Sequence, residues 1–211
     1  MIPKIVHQTW KTTQFEYWVF KKSQSSVREH LGDWDYRFWT DEELEVFVRD
    51  EYGEYFEAWK RLDRPIKRVD MARYFLLHRF GGLYADLDFI FTSPIDELIG
   101  EPYLLYFYRS QQAIAKNWEF LGNAFMISAP GEGFWMDLVD YQLALPPATN
   151  VLHHTGPRAI GAFYEQLSDR SAIRVFGPDE FDNDRCADGV GAHRYGYHMR
   201  TATWQHPGFK A

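Results

Sequence analysis

A helix that halts on two glycines and gives way at once to a strand carrying two aspartates constrains the fold of this chain more than any other feature. From Ile66 to about Phe80 the pattern is helical, with Pro65 at its start and Val69, Ala72, Leu76 and Phe80 spaced as a core stripe. Gly81-Gly82 stops that helix, and Leu83 to Phe91 reads as a strand closed by Pro94. Alternate side chains of a strand share a face, so Tyr84, Asp86 and Asp88 are expected on one side and Leu83, Ala85 and Leu87 in the core. Two carboxylates so placed repel each other. A divalent cation that prefers oxygen ligands is the simplest group to stabilise both in their ionised form.

The same alternation of strand and helix runs through the chain. Ile2 to Thr9 reads as a buried strand, Glu16 to Leu31 as an amphipathic helix and Asp35 to Trp39 as a second strand. Thr40 with Glu43 forms a capping box that starts the next helix. A helix over Glu54 to Arg61, strands over Tyr103 to Tyr108 and Asn123 to Ser128, and helices over Gly133 to Leu143 and Pro157 to Leu167 follow. This order predicts an α/β fold with a largely parallel sheet flanked by helices. At 211 residues the chain has room for one domain, residues 1–211, which could lead a longer protein. Asp179 to Ala211 has weak periodicity and is expected to be loop and short strands.

Charge and composition remove several function classes. With 23 basic and 30 acidic residues the net charge is -7, the wrong sign for a protein that neutralises many phosphates, so no nucleic acid is expected as a partner. The single cysteine, Cys186, supports neither a disulfide framework nor a paired-cysteine zinc site, and suits a reducing compartment, hence a cytoplasmic location. The N-terminus has no signal-like segment, and no apolar run is long enough for a membrane span. Aromatic residues make up 18% of the chain, with 8 Trp, 13 Tyr and 17 Phe. Flat amphipathic rings suit sugars and nucleobases, although core packing is the default role of each.

Asp70 and Arg73 stand three residues apart on the helix before the double glycine. They make either an intrahelical salt bridge or a pair that projects at the carboxyl edge of the sheet, where open α/β sheets bind ligands. Taken with Ile2-Pro3-Lys4-Ile5-Val6-His7-Gln8-Thr9-Trp10, Asp70-Met71-Ala72-Arg73-Tyr74 and Gly81-Gly82-x-Tyr84-x-Asp86-x-Asp88, they give the chain a resemblance to the Asp-x-Asp nucleotide-sugar transferases of glycosyltransferase family 32. That family includes the yeast initiating α-1,6-mannosyltransferase and is related to the glucosylating domains of the large clostridial toxins. A fainter likeness is to compact bacterial and chlorella-virus versions. Asn123-Ala124-Phe125-Met126, Thr155-Gly156-Pro157, His198 and Thr203-Trp204 match its later segments.

The resemblance implies a GT-A fold, a nucleotide-sugar donor, a glycan or other hydroxyl acceptor, Mn2+ or Mg2+, and transfer of a hexose with retention of configuration. By position, Thr9 and Trp10 would line the base pocket, with Tyr84 on the base. Asp70 and Arg73 would hold the donor sugar, with Asn123 beside it. Asp86 would serve ribose and metal, while Asp88 and His198 complete the metal set, with His206 as the substitute histidine. Trp204 would support the departing phosphate. UDP-sugars are favoured by the toxin-like Trp10 and Tyr84, and GDP-mannose serves elsewhere in the family.

Three other features have an ordinary and a functional reading. His153-His154 is a solvated loop pair or a contact to acceptor or phosphate, and His154 is taken into the donor set. Lys60, Arg61, Arg64, Lys67 and Arg68 form a solvated helix face or a patch for a diphosphate or anionic acceptor. Glu119 and Glu132 are the carboxylates nearest the acceptor-side segments, and neither sits in a recognisable motif. Two other functions compete: a Mg2+-dependent Asp-x-Asp phosphatase, and a carbohydrate-binding protein without catalysis.

Overall fold

The structure is a computed structural model that describes residues 1–15, 17–146, 149–178, 180–181 and 194–201. Thr203, Trp204, His206 and Cys186 lie outside the described residues. Six strands form the central sheet: β1 (Ile5–Thr9), β2 (Asp35–Trp39), β3 (Gly82–Ala85), β5 (Leu105–Tyr108), β6 (Phe125–Ser128) and β7 (Ile173–Phe176). Their order is β2-β1-β3-β6-β5-β7. Only β6 runs against the other five, so the expected α/β fold with a largely parallel sheet holds.

Period-two alternation divides the sheet between two cores. Tyr84, Met126, Leu105 and Phe107 face one cluster, built with Met71 and Phe75 and with Leu138 and Val139 of a helix spanning Gly133–Leu143 (α7). Leu83, Ala85, Phe125, Ile127, Tyr106 and Tyr108 face the other, with Val27 of α1 (Trp18–His30). These strands are buried on both faces, as parallel-rich sheets require. Much of the aromatic excess is spent here: Trp135 stacks on Tyr74 at 5.6 Å between ring centroids and donates its indole N–H to Ser128 Oγ at 2.8 Å.

The helix after Pro65, α4 (Pro65–Phe80), corrects the expected stripe. From Asp70 to Leu77 it is buried on every side, Asp70 and Arg73 included, because α7 and the other helices of the first core wrap the side away from the sheet. The basic run is corrected too. Lys67 is buried, donates to Thr149 O at 2.8 Å and meets Asp63 at 2.7 Å. Gly81 and Gly82 take φ of 64° and 86°, and a Cβ on Gly82 would stand 2.5 Å from Ile5 O.

The long strand expected from Leu83 to Phe91 is two. Asp86 N–H donates to Ala124 O and Phe89 N–H to Asp86 O, both at 2.9 Å, which closes a turn over Asp86, Leu87 and Asp88. The chain then leaves the main sheet as β4 (Phe89–Phe91), which pairs antiparallel with β8 (Gly196–His198). The two aspartates therefore converge through a turn and not through strand alternation. β7 escapes the sequence reading, since its four residues alternate over too short a run to stand out.

His7, fully buried in β1, gives the fold a pH limit. Trp39 Nε1 can only donate, and it reaches His7 Nδ1 at 3.1 Å, so Nε2 carries the proton and donates to Gly81 O at 3.1 Å. Burial lowers the ring to about 4. A base with a depressed folded pKa contributes its full stability above the unfolded value near 6.5 and loses it as pH falls towards 4. Thermal melts should therefore show a loss of about 3 kcal/mol between pH 7 and pH 4. His7→Gln should flatten that slope, and an unchanged slope in the variant would contradict the assignment.

Candidate active site

The site gathers where strand ends meet. β1 and β3 run out at Thr9-Trp10 and Asp86, and Asn123 stands just before antiparallel β6, at the same edge. This is the carboxyl edge of the sheet, where α/β folds bind ligands. A cleft of about 550 Å3 opens there, lined by Thr9, Trp10, Asp70, Arg73, Asp86, Asp88, Asn123 and His198 among others.

Arg73 is the hub. Its Nη2 lies 3.1 Å from Asp70 Oδ1, and its Nη1 lies 3.1 Å from Asp86 Oδ1 and donates to Asn123 O at 2.8 Å. The guanidinium lies over the Tyr84 ring at 4.5 Å. Asp70 also accepts from Asn123 Nδ2 at 3.0 Å and Thr155 Oγ1 at 2.9 Å. Burial pushes the Asp70 carboxyl up to about 7, against the pull of Arg73, Thr155 and Asn123. The pair is an intrahelical ion pair, and it lies in the cleft wall.

Asp86, Asp88 and His198 bring one ligand atom each within 4.8 Å of one another. His198 Nε2 lies 2.9 Å from Asp88 Oδ1, while Thr201 donates to Asp88 Oδ2 through N–H at 2.9 Å and through its hydroxyl at 2.7 Å. Burial works against ionisation of Asp88, but the His198 charge and the Thr201 donors overcome it and hold the carboxyl well below the usual range. Two carboxylates and an imidazole of this spacing fit a divalent cation, with nitrogen and oxygen ligands of a kind Mn2+ accepts. A cation held there would itself favour the ionised form of Asp88.

Two residues expected to touch the donor lie behind the cleft wall. Tyr84 is 1% exposed, and its hydroxyl shares a hydrogen bond with Thr9 Oγ1 at 3.0 Å and donates to Asp86 Oδ1 at 2.9 Å. His154 is 2% exposed at the end of α8 (Val151–His154), with Nε2 3.1 Å from Gln142 O and its ring pKa lowered by burial. Neither is among the lining residues. Thr201 is a contributor that sequence reasoning did not single out, and Thr155 entered only as part of the Thr155-Gly156-Pro157 segment, with no role for its hydroxyl. The Gly156-Pro157 helix start, which opens α9 (Pro157–Gln166), signals the turn at Thr155 but not that its hydroxyl reaches across to α4.

Comparison with known proteins agrees with this geometry. Residues 18–105 match the family described as glycosyltransferase sugar-binding region containing DXD motif. A mannosyl phosphorylinositol ceramide synthase of Saccharomyces cerevisiae is 30% identical over 193 residues, which cover 86% of this chain and 49% of the yeast protein. An inositol phosphoceramide mannosyltransferase of Schizosaccharomyces pombe is 38% identical over 102 residues, 48% of this chain and 28% of its own length. The chain thus spans half or less of the length of these relatives. The solved PaToxG glycosyltransferase shares the fold at 15% identity, with a TM-score of 0.60 over 78% of this chain and 69% of that one. One expectation is overturned: the similar yeast proteins are Golgi-type, lumenal enzymes, so the cytoplasmic location inferred from the lone cysteine does not stand. No helix among the described residues is long and apolar enough to cross a membrane. The resemblance carried by the Asp-x-Asp segment is matched by this comparison: residues 18–105 of this chain are similar to the DXD-containing sugar-binding region of glycosyltransferases.

Proposed function

We propose that the chain is a single catalytic domain that moves a hexose from a nucleotide sugar to a hydroxyl acceptor, with a divalent cation and with retention of configuration. The observation that carries the reading is the convergence in one cleft of the Asp70–Arg73–Asn123 hub with the Asp86, Asp88 and His198 cluster. The names of the relatives favour a mannosyl unit and an inositol phosphoceramide-type acceptor. UDP-hexoses are the competing donors.

In this reading Asp86, Asp88 and His198 hold Mn2+ or Mg2+. When bound, the cation offsets charge on the diphosphate leaving group, a Lewis-acid contribution of several kcal/mol. Trp10 and Thr9 line the cleft where the base would lie. Asp70 and Arg73 orient the sugar: the carboxylate accepts from its hydroxyls, and Arg73 keeps that carboxylate fixed in place. Asn123 ties Asp70 to the segment before β6 through its side-chain amide. Trp204 is assigned to the departing phosphate by resemblance alone.

Retention is supported by which carboxylates face the cleft. Asp41, Asp70, Asp86 and Asp88 line it, whereas Glu119 and Glu132 do not. Asp70 is held by three donors, Asp86 and Asp88 belong to the cation cluster, and Asp41 opens the helix Asp41–Glu51 (α2) next to Trp10 and Lys11. Among the described residues this leaves Asp41 as the one cleft carboxylate outside the hub and the cation cluster, and in a retaining reaction the leaving phosphate itself takes the acceptor proton. Proton NMR of the first product should show the donor's anomeric configuration, and the opposite anomer would refute this part of the reading. The family match favours a transferase over the phosphatase, and the intact hub favours it over a binding module. A thermal-shift screen of GDP-mannose and UDP-hexoses with Mn2+ tests the donor: a ligand at 100 times its Kd adds about 2.7 kcal/mol. The donor should stabilise the chain only with the cation present.

A further inference from the structure

A second pocket, of about 350 Å3, opens off the cleft between Arg64 and the α8–α9 corner. It is lined by Arg64, Asn150, Val151, Leu152, His153 and Arg158, with no carboxylate among them. The protein as a whole carries a net charge of -7, and Arg49, Arg79, Arg109, Arg174 and Arg194 each meet a carboxylate. Arg64 and Arg158 meet none among the described residues. Arg158 lies with its guanidinium over the Trp118 ring at 4.0 Å, which fixes its plane and leaves its N–H edge to donate. Val151, Leu152 and Arg158 belong to both cavities, so a group in this pocket can be joined to one that lies in the cleft. The pocket contains none of Asp86, Asp88 and His198, so it is not the place of the donor diphosphate.

We propose that this pocket binds a phosphate ester carried by the acceptor, with Arg158 as the pivot between the anion and the reacting hydroxyl and Arg64 as its second cation. A planar guanidinium grips a phosphate through two parallel hydrogen bonds, and Asn150 and His153 supply further polar edges. The proposal rests on the transferase reading and deepens it on the acceptor side. It also gives a use to the part of the Lys60–Arg68 basic run that the fold does not absorb, since Lys67 and Arg68 are engaged internally with Thr149 and Leu62. The ester could come from a soluble polyol phosphate or from a lipid headgroup, and the binding chemistry is shared.

Calorimetry on the full chain without donor tests the site, with myo-inositol 1-phosphate and myo-inositol as probes. The phosphate is expected to bind at least about 30-fold more tightly, and Arg158→Gln and Arg64→Gln should each reduce that preference about tenfold or more. Arg158→Lys should restore only part of it, because an ammonium lacks the two-pronged geometry. Arg49→Gln, outside the pocket lining, should leave it intact. Flotation with phosphatidylinositol vesicles against phosphatidylcholine vesicles separates the sources: retention on the former alone assigns a lipid, and its absence a soluble ester. Equal binding of inositol and its phosphate would overturn the proposal, as would a preference that survives in Arg158→Gln. Donor turnover, measured separately, tells the two failures apart. A chain that turns over a donor but ignores the phosphate refutes this site only, and one that binds the phosphate but turns over no donor refutes the transferase reading.

Discussion

Asp88→Asn should lower donor turnover by about 10²–10³-fold, on the scale seen when one electrostatic stabiliser is removed from an active site. The change keeps volume, and the amide oxygen can still accept from Thr201 N–H and from its hydroxyl, so the tether between the Asp88 turn and the end of β8 survives. What disappears is a full negative charge from a cluster whose ligand atoms lie within 4.8 Å of one another. Affinity for Mn2+ should fall with activity, and the melting temperature should change little. Full turnover in this variant would remove the cation from the account.

Arg73→Met should have the larger effect on stability, about 3–5 kcal/mol, because deleting one partner of a buried pair leaves Asp70 either an uncompensated charge or forced to take up a proton. Arg73 and Asp70 are 4% and 5% exposed at their side chains, so water cannot take the place of the lost guanidinium. The loss would reach three neighbours: Asp70, Asp86 and the Asn123 carbonyl. Chemical denaturation should show a lower midpoint with an unchanged m-value. Asp70→Asn in the same background should recover part of the loss, since it removes the stranded carboxylate while an oxygen remains to accept from Thr155. If the double variant is no more stable than Arg73→Met alone, the buried charge is not the cause.

Most strands of the main sheet, the main helices and the site's aspartates are legible in the sequence because each rests on a local rule. Thr40 with Glu43 gives the capping box that starts α2, Pro157 opens α9, and Gly81-Gly82 ends α4. The course of the chain after Ala85 is not legible. Leu83 to Phe91 alternates like one strand, and only the pairing of Asp86 N–H with Ala124 O, a contact across the sheet, breaks it. The all-round burial of α4 from Asp70 to Leu77 is hidden for a similar reason. Asp70, Arg73 and Lys67 read as a polar face until the neutral groups that complete their hydrogen bonding, on Thr155, Asn123 and Thr149, are seen to come from distant segments. The lone Cys186 misled about compartment, since a chain with one cysteine gives no record of the redox state around it.

Release of nucleoside diphosphate from a panel of GDP- and UDP-sugars, with Mn2+ and then with excess chelator, tests the central claim most directly. One donor should be turned over with the cation, and chelation should abolish its release. Turnover that continues undiminished in chelator, or no turnover of any nucleotide sugar by a folded, cation-loaded chain, would contradict the account.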